Sequence, residues 1–144
     1  MKKQKMLISC VLAIIIGTAQ AEQLKNLSEA RKLTDTAMDL VLKNEYEEVV
    51  DVIKKYWLID ENKVNVLQSQ IKAQKSSILE NYGKAIGTEF IKQEKIGDSI
   101  VKIIQISKHE KYALVWQFVF YKAKDEWSLV NFSYDDKILE LFNK

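Results

Sequence analysis

Between Tyr112 and Tyr134 the chain reads YALVWQFVFYKAKDEWSLVNFSY. Tyr112, Leu114, Trp116, Phe118 and Phe120 fall on alternate positions, with Ala113, Val115, Gln117, Val119 and Tyr121 between them. Successive strand side chains point to opposite faces, so one face carries the large aromatics. After the polar run Ala-Lys-Asp-Glu the alternation resumes, with Trp127, Leu129 and Asn131 set against Ser128, Val130, Phe132 and Tyr134. The pattern predicts a hairpin. With Lys124 and Asp125 as a two-residue loop, Phe120 faces Leu129, Phe118 faces Asn131 and Val119 faces Val130. A loop one residue longer changes that register.

Upstream the period is helical. From Leu24 to Leu42, the positions Leu27, Ala30, Thr34, Ala37, Met38 and Val41 recur at three- and four-residue steps, as one face of an amphipathic helix does. Asn44, with Glu47 three residues on, has the spacing of a capping box for a second helix carrying Tyr46, Val49, Val50, Ile53 and Trp57. Asp60 suits the cap of a third, Glu61 to Tyr82, with Val64, Leu67, Ile71, Ile78 and Tyr82 in period, Gln74 interrupting it and Gly83 ending it. From Ala85 the period drops to about two. Ile86 to Ile96 and Ser99 to Ser107 read as strands joined by a Gly97-Asp98 turn, and His109 to Lys111 turn the chain into the aromatic pair. The plan is α+β, three N-terminal helices packed on a four-stranded antiparallel sheet. Beyond Tyr134, two outcomes stay open: Asp135 caps a last helical turn through Ile138, Leu139, Leu141 and Phe142, or the strand runs on.

Residues 1 to 21 have the three parts of a secretory signal peptide: basic Lys2, Lys3 and Lys5, an apolar run from Met6 to Ile16, and a small-x-small end at Ala19 and Ala21. Cleavage is expected after Ala21, which places the protein in the periplasm or outside the cell. The apolar run is short of the ~20 residues that cross a bilayer, so no membrane span is expected after cleavage. Leu7, Ile8, Ser9 and Cys10 match the lipobox of an acylated cysteine, but Cys10 follows Lys5 too closely and most of the apolar core lies after it. Lipidation is the lesser reading.

Cleavage leaves residues 22–144, the size of one domain with one core. Cys10 is the only cysteine, so burial alone holds an exported domain of a size often secured by disulfides. The leader also takes three of the 22 basic residues and none of the 20 acidic ones, so the formal charge falls from +2 to −1. No overall basicity points to nucleic acid.

Helices first, then a bent antiparallel sheet carrying aromatics, resembles the cone-shaped, cystatin-like α+β fold of the nuclear transport factor 2-like superfamily across the span 22–144. Locally, Phe118 to Asp136, FVFYKAKDEWSLVNFSYDD, resembles the C-terminal hairpin of small exported bacterial members of unassigned function. The shared features are an aromatic strand, a Tyr-Lys pair, an Asp-x-Trp turn and a Phe-x-x-Asp ending. The resemblance implies a curved sheet covered by helices and open at one end. It implies no catalytic residue, because the fold hosts enzymes, binding proteins and assembly domains alike.

The residues themselves offer little chemistry. His109 is the only histidine and reads as an exposed turn residue; with no mature cysteine, no zinc set and no cofactor are expected. The pair Asp135 and Asp136 points to opposite faces in an extended strand, and Glu89 or Asp136 would act as a general acid only if buried in the cone. Lysines 92, 95, 102, 108 and 111 are interleaved with Glu89, Glu94, Asp98 and Glu110, as on a solvated surface. Two functional readings follow. A non-enzymatic module would bind a protein partner, or itself as a homodimer, through the outer sheet face at Val119, Tyr121, Val130, Phe132 and Tyr134, a face less polar than solvent normally sees. Alternatively, Trp116, Phe118, Leu129 and Asn131 line an inner pocket for a small apolar ligand, carried or turned over there.

Overall fold

The computed structural model describes residues 21–143; Cys10 and the leader up to Gln20 lie outside them. The first helix, α1 (Leu27–Leu42), starts where Asn26 accepts a hydrogen bond from the Glu29 N–H at 2.9 Å and Glu29 in turn accepts one from the Lys25 N–H at 2.8 Å. It begins three residues later than the periodicity predicts, because Leu24 pairs with Trp127 instead of joining the helix. At its other end the Asn44 N–H bonds to the Val41 carbonyl and the Glu45 N–H to the Leu40 carbonyl, with Asn44 at φ 60°. Those two bonds are the Schellman pattern with asparagine in the left-handed position. Asn44 therefore ends α1 and does not cap α2 (Tyr46–Ile53), which begins after Glu45 without a side-chain cap. The third helix, α3 (Glu61–Tyr82), has the predicted bounds. Asp60 caps it at 2.8 Å, and Gly83 stops it at φ 82°, where a Cβ would come within 2.9 Å of the Glu110 Cβ.

Four strands follow, β1 (Ala85–Ile96), β2 (Ile100–His109), β3 (Ala113–Lys122) and β4 (Trp127–Asp135), each antiparallel to its neighbour in the order β1-β2-β3-β4. The sheet's inner face meets the helices in one core. Val101 and Ile103, then Leu114, Trp116, Phe118 and Phe120, then Trp127, Leu129 and Phe132 pack on the buried stripes of α1, α2 and α3. Both Trp116 and Trp57 belong to this core, although Trp57 lies beyond the end of α2 and not on its stripe.

The β3–β4 register departs from the two-residue-loop reading. Lys122 pairs with Trp127 across a four-residue loop and Phe120 still faces Leu129, but Val119 then faces Asn131 and Phe118 faces Phe132. Val130 is the extra residue of a bulge. It turns Asn131 outward and returns Phe132 and Tyr134 to the inner face, where a large aromatic gains far more from burial than an amide does.

The β4 edge of the sheet is covered by the chain itself. Leu24 exchanges backbone bonds of 2.8 and 2.7 Å with Trp127, and Trp57 bridges Leu129 in parallel with the Leu58 N–H on the Leu129 carbonyl at 3.1 Å. These segments occupy the edge groups of β4 that would otherwise template another strand. After β4, Asp135 accepts the Lys137 N–H at 2.9 Å, and a 3-10 turn, Ile138–Phe142, lies against β3 on the outer side. Ile104 and Val115 are buried yet stand apart from the main core, and this turn is their cover.

Candidate functional site

Trp116, Phe118 and Leu129 sit where the strand alternation puts them, but solvent does not reach them. Each is 0% exposed. Trp116 is sandwiched between Tyr46, ring centroids 6.1 Å apart, and Tyr134 at 4.8 Å; Phe118 packs on Phe132 at 5.3 Å. Asn131, placed inward by the straight register, is exposed on the other side of the sheet. The four residues of the inner pocket are thus not brought together around a common space.

Toward one end of the same face the packing opens. A cleft of about 260 Å³ separates the C-terminal half of α3 from the ends of β3 and β4. Ile78 and Leu114 supply its apolar part, Gln74, Ser77, Asn81 and Tyr82 its helical wall, and Tyr134, Asp135 and Asp136 the facing wall. The Tyr82 hydroxyl donates to Asp136 at 2.8 Å, and that bond, with burial, raises the phenol above its usual pKa. The Tyr134 hydroxyl donates to the Gln74 side-chain oxygen, and burial pushes its pKa up as well. Gln74 is the residue that interrupts the helical stripe, so the interruption was the signal for this cleft. Behind Tyr134 lies the Tyr46 hydroxyl, buried without a hydrogen-bond partner. Burial, then the electrostatic influence of Tyr134, pushes its pKa up to about 12.

His109 is not an exposed turn residue. It ends β2 at 6% exposure, with Nε2 2.9 Å from the Ser107 hydroxyl and Nδ1 2.9 Å from the Gly83 carbonyl. A carbonyl only accepts, so Nδ1 carries the proton, Nε2 accepts from Ser107, and Ser107 accepts from the Trp116 indole N–H at 2.9 Å. This Ser-His pair is a closed relay in the core: both lone-pair and proton capacity are spent on structure, and a backbone carbonyl stands where a triad has a carboxylate. Glu89 is exposed and faces Ile106 across the sheet; Asp136 is exposed at the cleft rim. A second buried group, Gln105, donates to Thr34 and Asp35, both at 2.8 Å, and ties β2 to α1.

The outer face is built in rows. Ile96, Ile100 and Tyr121 lie opposite one another at the hairpin end, and the next row is Glu94, Lys102, Val119 and Asn131. Lys92 and Lys102 hold Glu94 at 2.7 and 3.6 Å, and the Lys92 bond is the main reason its carboxyl titrates below the ordinary range. Ile96 is 71% exposed, Tyr121 41% and Val130 37%. Of the five residues assigned to this face, Val119, Tyr121 and Val130 lie on it; Phe132 and Tyr134 are on the inner side for the reason given above. No helix among the described residues is long and apolar enough to cross a membrane. A scan against protein-family models and searches of the curated proteins and of the solved structures find no match to this chain.

Proposed function

We propose that the chain is an exported binding module of the nuclear transport factor 2-like kind, which docks a second copy of itself or another protein through the hairpin end of its outer sheet face. The observation that carries this reading is the row Ile96–Ile100–Tyr121 with Val130 beside it, in which Ile96, Tyr121 and Val130 are exposed and Ile100 is half-buried, on a face whose other end is covered by Ile138–Phe142. Apolar surface gathered in this way marks interaction sites more often than isolated exposed residues do. The neighbouring row carries both signs, Glu94 and Lys102, which suits an isologous contact in which each copy offers what the other lacks. The family reading is supported by the order of three helices followed by a four-stranded antiparallel sheet.

Export rests on the character of residues 1–21, and cleavage after Ala21 would leave Glu22 first, with its nitrogen already bonded to the Lys55 carbonyl at 2.8 Å. Intact mass of the exported protein checks this; a species beginning at an acylated Cys10 would overturn it. Sedimentation of the mature protein and of Tyr121→Asp tests the surface. The expected result is a dimer, or a recoverable complex, that Tyr121→Asp weakens at least tenfold. A monomer whose partners are unaffected by the substitution would refute the docking role.

A further inference from the structure

We infer that the free edge of β1 pairs antiparallel with the same edge of a second copy, joining two four-stranded sheets into one continuous sheet. β1 stands at the edge opposite β4, and among the described residues no backbone bond outside the β1–β2 ladder involves positions 85–96. At 12 residues it is the longest of the four strands, and such an edge presents a row of unpaired N–H and C=O groups to any incoming strand. Its charges choose the occupant. Glu89, Lys92 and Glu94 lie opposite Ile106, Ile104 and Lys102, on the outer face, while Thr88 and Gln93 lie opposite Ser107 and Ile103, on the inner face. Glu89 and Lys92 share a face at an odd spacing because Ile91 is the extra residue of a bulge. Directly opposed residues of an antiparallel pair share a face, so the bulge admits a register that a straight strand forbids, with a two-fold axis at the Phe90–Ile91 step, the midpoint of β1. In that register Glu89 faces Lys92 of the second copy and Lys92 faces its Glu89, Thr88 faces Gln93, Gly87 faces Glu94, and no like charges are opposed. The ion pairs among the described residues leave Glu89 without a cation of its own chain, whereas Glu94 already takes both Lys92 and Lys102. Phe90, 36% exposed beneath Arg31, and Ile86, 66% exposed, supply the apolar part of the contact. Bulges and mixed charges guard edges against indiscriminate pairing; set out with this two-fold symmetry, they reject foreign strands and admit a copy.

Pairing of like faces sets the two-fold axis perpendicular to the sheet, so the outer faces of both copies, with their Tyr121 rows, stay free on one side. The edge contact thus goes beyond the outer-face docking role and leaves that face to another protein. Sedimentation of protein recovered from expression of the full sequence tests it, with the fold of each variant checked by circular dichroism. A dimer is expected for the unsubstituted chain and for Tyr121→Asp. Glu89→Lys sets lysine against Lys92 of the second copy and Lys92→Glu sets glutamate against its Glu89; each alone should weaken the dimer about tenfold or more, and mixing the two variants should restore it as a heterodimer. Thr88→Cys with Gln93→Cys reads the register directly, since Cys10 in the leader is the only native cysteine: oxidation should link position 88 of one copy to 93 of the other, and neither cysteine alone should crosslink. Should a charge variant fail to fold, this crosslink decides. A chain still monomeric at about 1 mM, a dimer indifferent to both charge substitutions or not restored by mixing, no link between 88 and 93, or a dimer dissolved by Tyr121→Asp and not by Glu89→Lys would overturn the assignment. The last of these would place the self-contact on the outer face, whereas loss of another protein in Tyr121→Asp with the dimer intact upholds both roles.

Discussion

The Tyr46 hydroxyl is buried beside Trp116 with no hydrogen-bond partner, a state that costs free energy because water would have satisfied it. Tyr46→Phe removes that cost and keeps the ring stack, so it should raise stability at neutral pH by about 1 kcal/mol in urea denaturation. The same hydroxyl predicts alkaline behaviour. An unfolded tyrosine ionises near pH 10, whereas Tyr46 in the fold does so at about 12. Between those values the folded state holds a proton that the unfolded state has lost, so this contribution is intact below about pH 10 and falls as pH rises toward about 12, by roughly 2–3 kcal/mol in all. In Tyr46→Phe that part of the alkaline loss should vanish, and an unchanged profile would assign it to other groups. Ser107 is the opposite case. Ser107→Ala strands both the Trp116 N–H and the His109 Nε2 in the core, with an expected cost of about 2–4 kcal/mol. Thr36→Ala, whose hydroxyl bonds a helix carbonyl at an exposed position, serves as the near-neutral reference.

Among the elements, β4 shows how a single inserted residue decides a face. Leu129 points in and Asn131 out, and Val130 between them takes up the extra step, so Phe132 and Tyr134 return to the core. Deleting Val130 removes the bulge but preserves the alternation of everything after it. Deleting Ser133 instead throws Tyr134 outward and breaks its stack on Trp116. The first deletion should keep the near-ultraviolet circular dichroism of the aromatic column and cost little stability. The second should erase that signal and cost several-fold more. Equal effects would mean that the bulge, not the alternation, sets the register. At the far end of the sheet, α3 is finished by residues distant in sequence: Lys111 bonds the Tyr82 carbonyl through its N–H and the Glu80 carbonyl through Nζ. The β2–β3 turn thus closes the helix that forms one wall of the cleft.

For the molecule as a whole, the two sides of the sheet are buried by different means. The inner side is covered by three helices, and truncating Trp116 or Trp57 to Ala there should cost about 3–5 kcal/mol. The outer side is covered only in part, by Ile138–Phe142 over Ile104 and Val115. Removing residues 137–144 should leave the helical core folded, uncover those two side chains and join them to the apolar row at Tyr121. Dye binding to exposed apolar surface and a stronger tendency to self-associate are the expected readouts, and a truncated chain indistinguishable from the full one would show that the turn covers nothing of consequence.

Local patterns were enough for the element order, for both ends of α3 and for the aromatic face of β3, because capping residues, a left-handed glycine and strict alternation act within a few residues of where they stand. They were not enough for Asn44, Asn131, Phe132, Tyr134 or His109. Asn44 suits either a helix end or a helix start, and the backbone bonds of α1 chose the end. Asn131 and Phe132 each fit a strand position of either parity, and the competition to fill the core around Trp116 chose the aromatic. His109 is polar and turn-adjacent, and only the meeting of Gly83, Ser107 and Trp116, from three separate stretches of chain, gives its two nitrogens partners in the interior. Sequence by itself determined which segments become helix and strand, since those preferences are short-range. Tertiary structure decided which side chains face inward at the bulge and where the cleft opens, since both depend on free energies of burial that exist only once the sheet and helices are packed together.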